Sequence, residues 1–132
     1  MSSWPVMSGT SAIANIDEHC DRLLRDASAR AVMVINEEGA ILGHAGAMAT
    51  LPDSIIDAAG DLVADCLGAG RRGELQEGDD LVAEAEQLSA CAAPLGQKAV
   101  LVVVFDATST LALVRLRMKR ARDLLLRSLS EP

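Results

Sequence analysis

The segment KAVLVVVF, Lys98 to Phe105, gives the clearest structural signal in the sequence. It holds the longest unbroken apolar run, which is rich in β-branched valine, and therefore predicts a strand. The turn residues Gly96-Gln97 separate it from a second predicted strand over Ser89–Leu95. Just before, Ala83 to Glu86 alternates apolar and acidic residues and favours a third strand, although these residues are also good helix formers.

A helix and a β-hairpin are predicted on the amino-terminal side of these strands. Residues 1–10 are polar and interrupted by proline and glycine, and we expect them to form a flexible arm. From Ser11, apolar residues three or four apart indicate an amphipathic helix that ends near Ser28. The β-branched run Ala31–Ile35 and the short strand Ala40–Ala45 then flank a turn at Asn36–Gly39.

Two further helices complete the predicted order of elements. Thr50 can cap a helix that ends near Leu67, because glycines follow that residue. The residues Thr108–Thr110 offer caps for a last helix, which runs through Leu129. The resulting order, α-β-β-α-β-β-β-α with five strands in a meander, predicts a single α+β domain over residues 11–130.

Composition and motifs argue against several classes of protein. The longest apolar run has seven residues, which is far short of a membrane span. The beginning of the chain lacks a cationic leader, and the three cysteines show no CxxC spacing, so we expect reduced thiols and a cytoplasmic location. No GxxxxGK[ST] loop is present, so the chain should not bind nucleotide phosphates through a P-loop of its own.

The side chains that could support catalysis form no specific motif. His19 and His44 lie in different elements without an HxxxH partner, so neither a metal site nor a cofactor is expected. No GxSxG sequence occurs, but sequence alone does not exclude a Cys–His pair. A thiol-dependent enzyme using Cys20, Cys66 or Cys91 is therefore one function class, although nothing specific favours it.

The last helix is basic in a chain whose net charge is −7, and residues 111–129 hold six basic side chains against one acidic side chain. Its apolar residues share one face and its cations spread over the other, as expected for a helix packed on a sheet with a solvated back. DNA binding is disfavoured because the remainder of the chain is strongly anionic. Leu116 and Leu126 lie among the cations and suggest that another protein chain covers part of that side.

The middle helix carries more apolar surface than one sheet contact needs. One stripe seats it on the sheet: Ile55, Ala59, Leu62 and Cys66. A second stripe lies about 100° round the helix: Ile56, Gly60, Val63 and Leu67. A third is acidic: Asp53, Asp57, Asp61 and Asp65. The acidic stripe alone fits a solvated face, whereas the second apolar stripe, with small residues at Gly60 and Ala64, fits a dimer and partner surface with an electrostatic rim.

Two segments resemble a known family. The order of elements, PLGQKAVLVVVFD (Pro94–Asp106) and TLALVRLRMKRA (Thr110–Ala121) resemble the Roadblock / dynein light chain family. Within it, IDEHCDRLLRDASAR (Ile16–Arg30) and LVRLRMKRA (Leu113–Ala121) are similar to the bacterial MglB-like branch. The similarity extends from about Pro5 to Leu129.

The resemblance implies a five-stranded antiparallel sheet with two helices on one face and one on the other, in a homodimer whose sheets join edge to edge. It implies a non-enzymatic regulator that binds a small Ras-like GTPase of the MglA type and stimulates its GTP hydrolysis without donating an arginine finger. The process would be bacterial cell polarity or motility. Carried over to this sequence, the partner-binding residues are Ile56, Asp57, Gly60, Asp61, Val63, Ala64 and Leu67.

The sequence departs from that branch in two ways. It ends at Pro132, without the longer tail of some members, so the resemblance does not extend to an exchange-type activity linked to that tail. The acidic stripe holds more aspartates than the family leads us to expect, which favours a more basic GTPase.

The alternative function is a Roadblock adaptor that binds other proteins, including other Roadblock chains, without affecting GTP turnover.

The second apolar stripe generates the first testable prediction, a homodimer in solution. A monomer would leave that stripe exposed to water, at a cost of about 25 cal/mol for each Å² of apolar surface. Light scattering at micromolar concentration should therefore give about twice the chain mass of 13.8 kDa. A mass of one chain at that concentration would contradict the prediction.

Overall fold

The computed structural model describes residues 4–76 and 78–130, with side chains described from residue 15 onward. The elements follow the order α-β-β-α-β-β-β-α and form the five-stranded antiparallel sheet that the sequence predicts. The helices are α1 (Trp4–Asp26), α2 (Asp53–Arg71) and α3 (Leu111–Ser130). The strands are β1 (Ala31–Asn36), β2 (Ile41–Gly46), β3 (Leu81–Ala85), β4 (Leu88–Leu95) and β5 (Ala99–Phe105).

The strand that the valine run predicts, β5, lies at the centre of the sheet. The strand order is β2-β1-β5-β4-β3, so β5 has a neighbour on each edge. Leu101 lies opposite Val34 of β1, and Val103 lies opposite Cys91 of β4. Every residue of β5 is buried, because helices cover both faces of the sheet at this strand. A strand buried on both faces has no need for polar alternation, which explains the continuous apolar run.

Each face of the sheet has its own apolar core. Helices α1 and α3 pack on one face, where Leu101, Val103 and Phe105 of β5 point. Helix α2 packs alone on the other face against β3, β4 and β5, where Val100, Val102 and Val104 point. The arrangement of two helices on one face and one on the other is the one that the resemblance implies.

Three helix limits differ from their predicted positions. Helix α1 begins at Trp4 and not at Ser11, so it overlaps the predicted arm; residues 1–3 lie outside the described part, and the arm's flexibility stays a prediction. The N-cap of α2 is Pro52 and not Thr50, whose hydroxyl donates to the Ala47 carbonyl within a preceding 3-10 turn, Met48–Thr50. Helix α2 also continues to Arg71, because the glycines after Leu67 have helical backbone angles here.

Two cations of α3 contact other elements of the fold, where a solvated back was the expectation. Arg122 is buried, and its Nη2 donates a 3.1 Å hydrogen bond to the Pro94 carbonyl of β4. Arg115 donates two hydrogen bonds of 2.8 Å to the Asp80 carboxylate, which precedes β3. The bidentate geometry fixes α3 relative to the start of β3. Part of the basic character of α3 therefore has a structural role.

The contact between α1 and β2 depends on a glycine. A Cβ at Gly43 would overlap Ile16 Cγ2 and lie 3.0 Å from Asp17 Oδ1, so α1 approaches the strand backbone directly. By contrast, a Cβ at Gly60, in the middle of α2, would meet nothing within 4 Å.

We predict opposite effects of alanine at these two glycines. Gly43→Ala should lower the free energy of unfolding by about 1–3 kcal/mol, because the methyl group over-packs the α1–β2 contact. Gly60→Ala, the control, should raise it by up to about 1 kcal/mol, because alanine favours a helix interior. Urea denaturation measures both values. A Gly43→Ala protein as stable as the wild type would contradict the packing of α1 on β2.

Candidate partner-binding surface

The outer face of α2 presents small and acidic side chains to solvent. Five of its exposed residues are called here the α2 surface: Ile56, Asp57, Gly60, Asp61 and Ala64. Ile56 is 47% exposed, although the same helix buries other apolar side chains against the sheet. Gly60 and Ala64 lie one turn apart, and open space surrounds the Gly60 Cα where a side chain would stand. Another backbone can therefore approach α2 closely along this line.

Two residues of the sequence-predicted set lie elsewhere. Val63 is only 7% exposed and belongs to the core between α2 and the sheet. Leu67 is half-buried and packs against the same core. On the helical wheel Val63 lies about 20° from Ile56, so its burial reflects how deeply α2 sits against the sheet. Val63 and Leu67 therefore support the α2 surface from below, and their contact with a partner stays a prediction.

The acidic stripe of α2 is fully presented to solvent. Asp53, Asp57, Asp61 and Asp65 are all exposed. Within the described ranges 4–76 and 78–130, the ion pairs join other residues, such as Arg72 with Glu74 at 2.8 Å, and none includes these four aspartates. Four unpaired carboxylates on one helix face create a negative potential that favours a basic partner and repels a phosphate backbone.

A groove runs beside the α2 surface on the side of the β1–β2 hairpin. It has a volume of about 250 Å³ and is lined by α2, the hairpin and the 3-10 turn. Ile56 and Gly60 belong to both the groove and the α2 surface, and Ile41 stands on the opposite rim. Sequence reasoning missed Ile41, which is 49% exposed. The available signal was an isoleucine directly after a hairpin turn, where β2 begins and polar residues are common.

The three thiols are buried structural groups in this fold. Cys20, Cys66 and Cys91 are at most 1% exposed, and Cys66 Sγ donates to the Ala92 carbonyl over 3.6 Å. Burial, with the nearby Asp17, raises the pKa of Cys20 to about 12. Burial also raises the pKa of Cys66 to about 11 and that of Cys91 to about 12. At neutral pH the thiols are therefore protonated and weakly nucleophilic.

Other kinds of site find little support in the part of the chain that the structure describes. Among these residues, no three His, Cys, Asp or Glu side chains come together in a way that could hold a metal ion. None of the described helices combines the length and apolar character that crossing a membrane requires.

Comparison with solved structures gives close matches in fold. MglB of Myxococcus xanthus is 31% identical, with 91% of this chain and 93% of that chain covered and a TM-score of 0.71. The gliding protein MglB of Thermus thermophilus is 29% identical, with 92% and 93% covered and a TM-score of 0.70. A Roadblock/LC7 domain of Streptomyces avermitilis, 17% identical with 87% and 98% covered, shares the fold at a TM-score of 0.66. No family model and no curated protein matches the sequence.

The chain forms a Roadblock domain: its five-stranded sheet carries a single helix on one face, and it overlaps almost completely with these structures. At 31% identity over 91% of its length to a solved MglB, the chain belongs to the Roadblock family and is similar to the MglB proteins within it. The resemblance seen in the sequence is thereby confirmed.

The burial of the thiols generates a prediction about their reactivity. In the native protein none should react with a thiol reagent at pH 8, because each pKa lies well above that pH and the sulfur atoms are covered. In urea all three should react. Replacing any one by alanine should cost about 1–3 kcal/mol of unfolding free energy without removing function in the folded fraction.

A replacement that abolished activity while the thermal midpoint stayed constant would contradict this and restore the thiol-enzyme hypothesis. A single cysteine that reacted rapidly in the native protein would have the same meaning.

Proposed function

We propose that this protein is a homodimeric regulator that binds a small Ras-like GTPase of the MglA type and stimulates its GTP hydrolysis, without catalytic residues of its own. The process would be bacterial cell polarity or motility, in the cytoplasm. The observation that carries the proposal is the α2 surface, whose exposed Ile56, Gly60 and Ala64 are not needed to seat α2 on the sheet. Similarity to proteins named MglB, one of them a gliding protein, supports the motility context.

The charge of α2 supports stimulation without an arginine finger. An arginine finger must extend from the contact surface into the nucleotide site of the GTPase. Residues 53–70 of α2 include no basic residue, and the first arginine, Arg71, lies at the end of the helix. A partner bound across Gly60 and Ala64 would meet small, acidic and apolar side chains of α2 but no basic one before Arg71. Stimulation would therefore act by favouring one arrangement of the catalytic loops of the GTPase.

The two edges of the sheet differ in a way that supports a dimer through β3. On β2, the backbone N–H of His44 donates to Asp17 Oδ1 of α1 over 3.0 Å, so a side chain already occupies this edge. On β3, the described residues provide no comparable cap from outside the sheet, and Val82 is 37% exposed. An uncapped edge strand is a template for pairing with a second chain. An edge-to-edge dimer would therefore form at β3.

The proposal predicts that the protein accelerates GTP hydrolysis by its cognate GTPase and that Ala64→Arg abolishes the effect. The arginine would have to be buried without a partner at a close approach between backbones, at a cost of about 3 kcal/mol or more. That cost corresponds to more than 100-fold in affinity. The measurement is single-turnover GTP hydrolysis by an MglA-type GTPase of the same organism, alone, with the wild-type protein and with the variant.

Ala107→Arg is the matched control, since Ala107 is exposed in the turn before α3 and lies outside the α2 surface. Circular dichroism must show that both variants are folded. Asp57→Lys and Asp61→Lys should mainly slow association, and the wild-type association rate should fall as salt rises. Normal stimulation by folded Ala64→Arg would contradict the proposal. Binding without any change in GTP turnover would instead favour the adaptor function.

A further inference from the structure

The groove beside α2 is an apolar pocket with exposed apolar rims. Ile41 and Ile56, which are 49% and 47% exposed, stand on opposite sides of it. Met33 and Met48 form part of its walls, and all the side chains that line it are apolar. Two half-exposed isoleucines around one depression form a continuous apolar patch, which is the feature that marks an interaction site on a protein surface.

The groove exists because one helix cannot cover five strands. Helix α2 packs on β3, β4 and β5 and leaves β1 and β2 less covered on this face. Two glycines keep the space open: Gly39, in the hairpin turn with φ +85°, and Gly60, on α2. A Cβ at either position would meet nothing within 4 Å. The groove is therefore not filled by the chain itself.

The volume and lining of the groove indicate the kind of group that it accepts. Pockets for small molecules usually have about 300–1,000 Å³ and a few converging polar groups that orient the ligand. This groove has about 250 Å³ and no polar side chain in its lining. It suits one large apolar side chain inserted from a partner protein, and the flexible methionines can adjust to its shape.

The charges beside the groove indicate what kind of partner surface surrounds that side chain. Asp53, Asp57 and Asp61 are exposed on α2, the helix that carries the groove residues Ile56 and Gly60. None of them takes part in an ion pair among the residues that the structure describes. An apolar groove beside the acidic stripe of α2 complements an apolar side chain that projects from a basic surface.

We propose that the groove receives one large apolar side chain from a basic surface of the GTPase, and that this contact fixes where along α2 the GTPase binds. The inference rests on the proposed function, and the occupant is the GTPase because the groove is continuous with the α2 surface through Ile56 and Gly60. A buried anchor in a water-excluded pocket surrounded by weaker contacts is the usual organisation of a protein interface.

The test compares two serine variants on the same strand. Ile41→Ser removes an apolar side chain from the rim of the groove and leaves the sequence of α2 unchanged. His44→Ser changes an exposed β2 residue outside the groove. Affinity is measured by calorimetry with the GTPase loaded with a non-hydrolysable GTP analogue. We expect Ile41→Ser to weaken binding about 30-fold, as for a central interface residue, and His44→Ser to bind like the wild type.

A second variant fills the groove from the other side. Gly60→Leu should fold, since space is open at Gly60, and should weaken binding at least as much as Ile41→Ser. In the wild type, the methyl NMR signals of Ile41 and Ile56 should shift when the GTPase binds. Thermal melts must show that both variants are folded.

The outcomes separate the groove from the wider function. If the wild type binds the GTPase and folded Ile41→Ser binds equally well, the groove proposal is overturned while the proposed function stands. If the wild type does not bind the GTPase at all, both are overturned. If Ile41→Ser changes the mass in light scattering from two chains to one, the groove belongs to self-association, and its assignment to the GTPase is wrong.

Discussion

Burial of β5 on both faces is the constraint on which the rest of the structure depends. Each face of this strand must be covered, and the chain supplies two helices for one face and one helix for the other. With almost no aromatic residues to fill space, both cores rely on tight contacts between Val, Leu, Ile and Ala. The unequal division of helices leaves β1 and β2 less covered on the α2 face. The groove and the exposed Ile41 are consequences of that division.

Charged side chains at the edges of this layered structure position its helices. Arg115 and Arg122 join α3 to Asp80 and to the Pro94 carbonyl. At the turn before α3, the Asp106 carboxylate accepts hydrogen bonds from Thr108 and from Arg30, which lower its pKa to about 2. In these contacts a charged side chain fixes the position of one element relative to another, whereas the aspartates of α2 have no such partners in the described ranges. The acidic stripe of α2 therefore has no structural role comparable to that of these contacts.

The sequence allowed the order of elements and the central strand to be predicted, because both depend on hydrophobic periodicity and turn residues that are local. The limits of α1 and α2 were less predictable, since Thr50 forms its hydrogen bond within a 3-10 turn that no short-range pattern signals. The burial of Val63 was not predicted, because a stripe drawn at 100° intervals does not show how deeply the helix sits in the sheet. The groove could not be predicted, because Ile41 and Ile56 are placed on its two sides only by the tertiary packing of α2 and the hairpin.

The composition of α2 is locally unfavourable, and the described fold shows no compensation for it. Gly60 in a helix interior costs about 1 kcal/mol relative to alanine, although an alanine would fit. Aspartates four residues apart repel one another by a few tenths of a kcal/mol per pair. A half-exposed Ile56 adds a further cost in water. Residues that break local rules without a structural gain are expected at functional surfaces. All of these costs fall on one helix face, and the same face borders the apolar groove. Contacts that form when a partner binds would therefore compensate for the cost of α2.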